Sequence, residues 1–340
     1  MKKLYPLPLA LMAAPLLALS AQFEELAFQP EDGLSLTTNS ERVLTLNLQD
    51  SGMTILFDGE EHEGIESPEI ELVMIETETL EFTDVYEVDE GETLSLRRTF
   101  VEIATLSEQE LTDPEGEEFS EETPGASELE STTVIFTWND DDDEFEAAFD
   151  DGDGDADEEL LEGLVAVADL SWFLPDDEID EGDTWDVDVD AFRELTSLSG
   201  DLVVVREDDD DEEDDFGEQF DENLEGELVG EFTGVREEDD LRLAEIRLSG
   251  SLETIVEQEE EFEVEEGEGV KVETYDFDFE IEGLLLWNLD ENRAHSLLLE
   301  GEVQMDVESK ETVSGAGHEV EITTTQEFDG TVVYDVTIES

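Results

Sequence analysis

In the stretch YDFDFEIE, Tyr275, Phe277, Phe279 and Ile281 alternate with Asp276, Asp278, Glu280 and Glu282. Successive side chains of a strand point to opposite faces, so the pattern predicts four apolar groups on one side and four carboxylates on the other. One face is for burial and the other for water. The same alternation recurs at Leu228, Gly230, Phe232 and Gly234; at Ile246, Leu248, Gly250 and Leu252; at Leu297, Leu299, Gly301, Val303 and Met305; and at Val332, Tyr334, Val336 and Ile338. TTVIFTWNDDDDEFEAAF reads as a hairpin with Val134, Phe136 and Trp138 on one strand and Phe145, Ala147 and Phe149 on the next. Turn residues at Asp50, Ser51 and Gly52, at Asp58 and Gly59, at Asp329 and Gly330, and in NLDENR at 288–293 divide the strands.

YEVDEGETLSL from Tyr86 and WNLDENRAHSL from Trp287 share an aromatic, an apolar residue two later, Asp-Glu, a Gly or Asn turn, then Ser-Leu. They are either related hairpins or a common hairpin type used twice. Between the strand-rich halves, EELLEGLVAVADL sets Leu160, Leu161, Leu164, Val165, Val167 and Ala168 at helical spacing, which predicts a short amphipathic helix. AFRELTSL predicts a second, with Asp190 as N-cap. The nine consecutive carboxylates of 207–215 must repel one another, and a mobile loop is expected there.

Two short helices cannot cover the apolar faces of so many strands. The expected fold is mainly β: a large curved antiparallel sheet, as half-barrel, barrel or sandwich, with one or two short helices in the middle of the chain. The expected divisions are a signal peptide at 1–20, an N-terminal β half at 21–150, a helical and acidic connector at 151–222, and a C-terminal β half at 223–340. The two β halves are expected to form one domain.

Composition narrows the partners. The chain has 105 acidic and 13 Lys or Arg residues, a net charge of −92. Phosphate recognition depends on clustered basic residues, so nucleic acid is not an expected partner, nor is an anionic membrane surface. Carboxylates in such excess are first of all a solvated surface, suited to salty surroundings. The strict alternation and 18 Phe argue against disorder. Arg97 and Arg98 form the densest basic spot after the N-terminal segment; neighbours on a strand face opposite ways, so one is expected inside, balancing buried carboxylates.

Lys2 and Lys3, the apolar run to Leu19, and Ala18 and Ser20 before a cleavage point read as a secretory signal peptide. Pro6, Pro8 and Pro15 and the run's shortness argue against a membrane anchor. The chain has no cysteine, so disulfides, thiol catalysis and attachment through a lipid-modified cysteine are excluded. The expected address is the periplasm or the exterior, as a soluble protein.

One stretch invites a metal. Asp151, Asp153, Asp155, Glu159 and Glu162 occupy positions 1, 3, 5, 9 and 12 of a twelve-residue calcium loop. Where the loop needs glycine for its sharp turn, at position 6, the chain has Ala156. With 105 acids in 340 residues, five acidic positions match by chance about once along the chain. The five residues stand as calcium candidates in what reads more simply as an acidic connector from strand to helix.

Other chemistry is sparse. His62, His295 and His318 lie far apart and form no zinc or di-iron spacing. There is no Gly-x-Ser-x-Gly elbow and no complete phosphate loop. Paired carboxylates could serve a glycosidase, but 105 candidates single out no pair.

WFLPDDEIDEGDTWDVD, from Trp172 to Asp188, combines Leu174-Pro175, Ile179, Gly182-Asp183-Thr184 and Trp185. This resembles the Leu-Pro, spacer, Val or Ile, two residues, Gly-Asp-Ser/Thr-Trp pattern of uncharacterised exported acidic β-rich bacterial proteins. The resemblance implies export and a β-rich domain, and carries over no activity. Some exported β-rich proteins, periplasmic lipoprotein carriers among them, hold apolar ligands in a curved sheet. The expected function is therefore non-enzymatic, binding an apolar ligand or envelope partner, with a cationic partner or divalent cations as further candidates. The alternatives are a calcium-dependent structural protein and a glycan-acting hydrolase using paired carboxylates.

Overall fold

The computed structural model describes residues 26–61, 70–89, 92–140, 144–150, 156–175, 178–206, 216–238, 240–264, 267–315 and 318–340. The expected signal peptide at 1–20, the carboxylate run 207–215, Asp151, Asp153, Asp155, His62, Asp176 and Asp177 lie outside them.

Among the described residues the strands are β1 (Ser35–Phe57), β2 (Glu60–Glu61), β3 (Glu71–Asp89), β4 (Glu92–Thr112), β5 (Glu118–Ala126), β6 (Thr133–Asn139), β7 (Glu144–Phe149), β8 (Thr184–Val187), β9 (Val205–Arg206), β10 (Glu225–Glu238), β11 (Leu241–Val264), β12 (Gly267–Asn288), β13 (Arg293–Gly315) and β14 (His318–Glu339). The helices are α1 (Asp190–Thr196) and α2 (Phe216–Asn223), with 3-10 turns at Glu158–Leu161 and Ser171–Phe173.

All 14 strands join one antiparallel sheet whose main path runs β7-β6-β4-β3-β1-β14-β13-β12-β11-β10-β8. β7 and β8 end the path without pairing to each other, so the sheet is open. The first and last long strands meet in its middle, with Thr37 opposite Glu339 and Phe57 opposite Val320.

Alternation dictates the layers. Phe277, Phe279 and Ile281 are buried, as are Leu297, Leu299, Val303 and Met305, while Asp276, Asp278, Glu280, Glu282, Glu300 and Glu302 are exposed. The buried face packs on the middle segment in one apolar cluster that also takes in Leu160, Leu170, Phe173, Phe192 and Leu195. The outer face carries carboxylates, the reverse of the apolar outward band of a membrane-spanning barrel.

Two sequence expectations change. Over 158–169 only Glu158–Leu161 is helical, as 3-10 helix; Glu162 and Gly163 turn, and the chain then runs extended, with Ala166 and Ala168 buried and Val167 exposed, a period of two. Tertiary bonds take the backbone that a helix would use. Val165 N–H donates to the Ser199 carbonyl, and the carbonyls of Val165 and Ala166 accept from Arg98. Gly163 and Gly200 sit at φ +75° and +85°, where a side chain is strained. The second helix forms as expected but ends at Thr196, two residues early, and the carboxylate at its start belongs to Asp188, which accepts from Asp190 N–H at 3.1 Å.

Asp50, Ser51 and Gly52 do not turn the chain. They lie inside β1, which bulges between Leu48 and Asp50 and stays paired with β14. Asp329 and Gly330 likewise lie inside β14; a side chain on Gly330 would overlap the Thr45 carbonyl. Asp58 and Gly59, with φ of 52° and 81°, do form a hairpin turn, and 289–292 form another. The two echoing segments are both hairpin tips of the sheet. Each skips one residue in pairing just before its shared serine, Leu94 in β4 and His295 in β13, but their closing pairs, Asp89 with Glu92 and Asn288 with Arg293, differ in register.

Candidate functional site

The sheet's inner face and the middle segment do not meet everywhere. Between them lies a cavity of about 1010 Å³, lined by β1, β3, β4, β12 and β14 on one side and by α2 and the stretch from Leu195 to Val204 on the other. Ile103 of β4 and Phe277 of β12 both face it although five strand steps separate their strands. At about 4.8 Å per step that is roughly 24 Å of flat sheet, and curvature brings the two walls round one space.

One wall is aromatic. Phe216 and Phe220, four apart on α2, share a face and bear on β12: Phe216 meets Tyr275 at 5.3 Å and Phe220 meets Phe277 at 5.6 Å, both edge to face. Phe277 stacks on Phe279 at 5.9 Å, and Phe279 meets Phe192 of α1 at 6.2 Å. Polar bonds hold α2 against β11: the Thr254 hydroxyl donates to the Phe220 carbonyl at 3.0 Å, and the Asn223 amide to the Ile255 carbonyl at 2.9 Å. The sequence held a signal for α2, two phenylalanines at helical spacing, but the acidic block before it hid the helix.

The opposite wall is ionic. Arg42 on β1 donates to Glu78 at 2.5 Å and lies 3.9 Å from Glu76, both on the same face of β3, while Arg206 reaches Glu76 at 3.0 Å. Tyr334 of β14 lines the same wall and interacts electrostatically with the Arg42 guanidinium. Burial, opposed by Arg42 and reinforced by Glu76, lifts the Glu78 carboxyl above its ordinary range. Burial likewise lifts Asp221 on α2, against the pull of Arg193 and with the help of Asp201 and Glu194. None of this network was legible from spacing, because its members come from β1, β3, β9, β14 and α2.

A second cluster is structural. Arg98 is fully buried while Arg97 faces out to Asp150 at 3.0 Å, so the expected division of the pair is found. All five N–H groups of Arg98 are used: two on Asp84 at 2.8 and 2.9 Å, and three on the Val165 carbonyl, the Ala166 carbonyl and the Ser199 hydroxyl. Its guanidinium lies 4.2 Å over the Phe82 ring. The cluster pins β3 and β4 to the middle segment.

The Leu-Pro to Trp stretch is a packing device. Leu174 is extended, ending the Ser171–Phe173 turn. Ile179 is buried, and Gly182 turns at φ +93° with its N–H on the Phe232 carbonyl. Trp185 lies over Gly230, where any side chain would overlap the indole, and donates its Nε1–H to the Phe173 carbonyl at 3.1 Å.

Of the calcium candidates, Glu159 and Glu162 are exposed at the Glu158–Leu161 turn, and Asp151, Asp153 and Asp155 lie outside the described residues. Among the described residues no three His, Asp or Glu side chains are grouped as a metal site. His318 pairs with Asp58 at 2.9 Å beside the β1 turn, and this bond, with the Glu319 N–H, holds the Asp58 carboxyl below its usual range. His295 occupies the β13 irregularity.

No described helix is long and apolar enough to cross a membrane. No protein-family model and no curated protein matches the chain. Among solved structures it is similar to an outer membrane channel from Pseudomonas putida F1, with 7% identity and a TM-score of 0.20 over 94% of this chain and 100% of the channel. A likeness that slight carries no argument, and the cavity under the open, curved sheet is the feature from which a function must be argued.

Proposed function

We propose that this chain is an exported, non-enzymatic binding protein that holds an apolar or amphipathic small molecule between its curved sheet and its middle segment. The observation that carries the reading is the cavity itself: about 1010 Å³ beneath the sheet, against about 570 Å³ for the space between β7 and the Glu158–Leu161 turn, and walled by Phe216, Phe220, Phe277 and Phe279. Its volume is at the upper end of the range of small-molecule pockets, which are concave, largely apolar and fitted with a few polar groups.

Glu76 and Glu78 are neighbouring carboxylates on the cavity wall. Both are engaged by guanidinium groups, which suits carboxylates that hold strands together better than a nucleophile or proton donor facing a sugar. The signal sequence supports export, and the acidic outer face supports a protein that stays in water.

Uptake of the hydrophobic dye N-phenyl-1-naphthylamine tests the reading. One dye per chain is expected, with bright blue-shifted emission, and Leu202→Trp, which fills the cavity, should abolish uptake while the chain stays folded. Absence of uptake by the unaltered chain, or undiminished uptake by the variant, contradicts the proposal.

A further inference from the structure

The lining also bears on what kind of amphiphile fits. Five carboxylates border the cavity, those of Glu76, Glu78, Asp201, Asp221 and Glu222, against the single guanidinium of Arg42. Arg42 pairs with Glu78 at 2.5 Å and lies 3.9 Å from Glu76, which leaves its buried Nε–H without a partner. Counting Arg206 on Glu76, and Arg193, which faces Asp221, still leaves the acids in excess. Glu78 from the sheet side and Asp221 from α2 line the same cavity, and Tyr334, which also lines it, feels the charge of both.

From this geometry we infer that the cavity selects cationic amphiphiles, molecules with one ammonium head and an alkyl or aryl tail. The inference rests on the binding role proposed above. The tail lies among Phe216, Phe220, Phe277 and Phe279, whose ring faces also attract a cation. The ammonium sits between Glu78 and Asp221, where a fatty acid or phosphate head would meet carboxylates in excess of guanidinium groups. Burial raises the proton affinity of both carboxylates, against the pull of Arg42 on Glu78 and of Arg193 on Asp221. The chain's net charge of −92 draws cations toward the molecule at long range and repels anionic lipids.

Calorimetric titration of the full chain with decyltrimethylammonium, 1-decanol and decanoate, each below its aggregation concentration, tests this. Sodium chloride at about 0.5 M screens the outer carboxylates while leaving buried pairs largely intact. The expected result is one site per chain, with the cation at least tenfold tighter than the alcohol and decanoate weaker than the alcohol. Glu78→Gln combined with Asp221→Asn should bring the cation to the affinity of the alcohol, whereas Glu280→Gln with Glu302→Gln on the outer face should leave the preference intact. Retained decanol binding shows that each variant is folded, and the three ligands on the unaltered chain decide the matter even if a variant is lost. Equal affinities for all three overturn cation selection while leaving the binding role standing. A cation preference removed by the outer-face changes overturns it as well. Binding of none of the three overturns both.

Discussion

Arg98 shows how a single charged residue can hold this fold together. Its five N–H groups are matched to Asp84, Ser199 and two backbone carbonyls of the middle segment, so the cost of burying it is met only when every partner is present. Asp84→Asn should destabilise the chain by about 3–5 kcal/mol, because it leaves the guanidinium buried and uncompensated. At about 2–4 °C per kcal/mol, a calorimetric melt will show the loss clearly; a change within error would mean that the cluster does not carry this load. Sequence alone gave half of this: strand alternation predicted that one of Arg97 and Arg98 faces inward, but the partners at 84, 165, 166 and 199 are invisible to spacing. Beside Asp84, Asp169, Glu194 and Asp276, whose pKa values burial also raises, Glu78 and Asp221 contribute to the pH response. Both have raised pKa values when folded, so the folded chain binds more protons than the unfolded one between the ordinary carboxylate range and the raised values. Their contribution is fully present below the unfolded pKa and is lost as pH rises through the folded one. The Tm should therefore climb as pH falls from about 7.5 to about 5, with a gentler slope in the Glu78→Gln, Asp221→Asn variant. A Tm that drops over that window would contradict the assignment.

At the scale of elements, strands were legible and interruptions were not. Period-two burial marks β12, β13 and β14 because each has one wet face, and no other backbone satisfies YDFDFEIE. Gly and Asp, however, serve two purposes. At Asp58 and Gly59 they turn the chain, whereas at Gly52 and Gly330 they let a neighbouring strand approach within an unbroken ladder. Gly330→Ala should cost about 1–3 kcal/mol through the clash with the Thr45 carbonyl, measured by denaturant unfolding. A neutral result would show that β1 and β14 can part locally without penalty. The expected helix over 158–169 failed for the opposite reason: its apolar spacing was real, but Arg98 and Ser199 took the backbone groups that a helix needs.

For the whole molecule, charge and cavity set the behaviour. Like charges oppose one another directly across the outer face, Asp276 with Asp306, Glu280 with Glu302 and Glu282 with Glu300, an arrangement that destabilises a sheet at low salt. Raising sodium chloride from roughly 0.1 to 1 M should raise the Tm by screening these pairs, and a flat or falling response would count against that explanation. The sheet's curvature was foreseeable from the need to cover its apolar face, but the cavity was not. It arises where α2 and the Leu195 to Val204 stretch stand off from β1 and β3, a tertiary spacing that no local pattern records. Whether that space is used can be read directly from the mass of the protein. Native mass spectrometry of the chain, purified from a bacterial host without detergent, should show a population heavier by one small molecule that collisional activation releases, and Leu202→Trp should lack it. A single mass equal to that of the bare chain, identical in behaviour to the filled variant, would contradict the binding role.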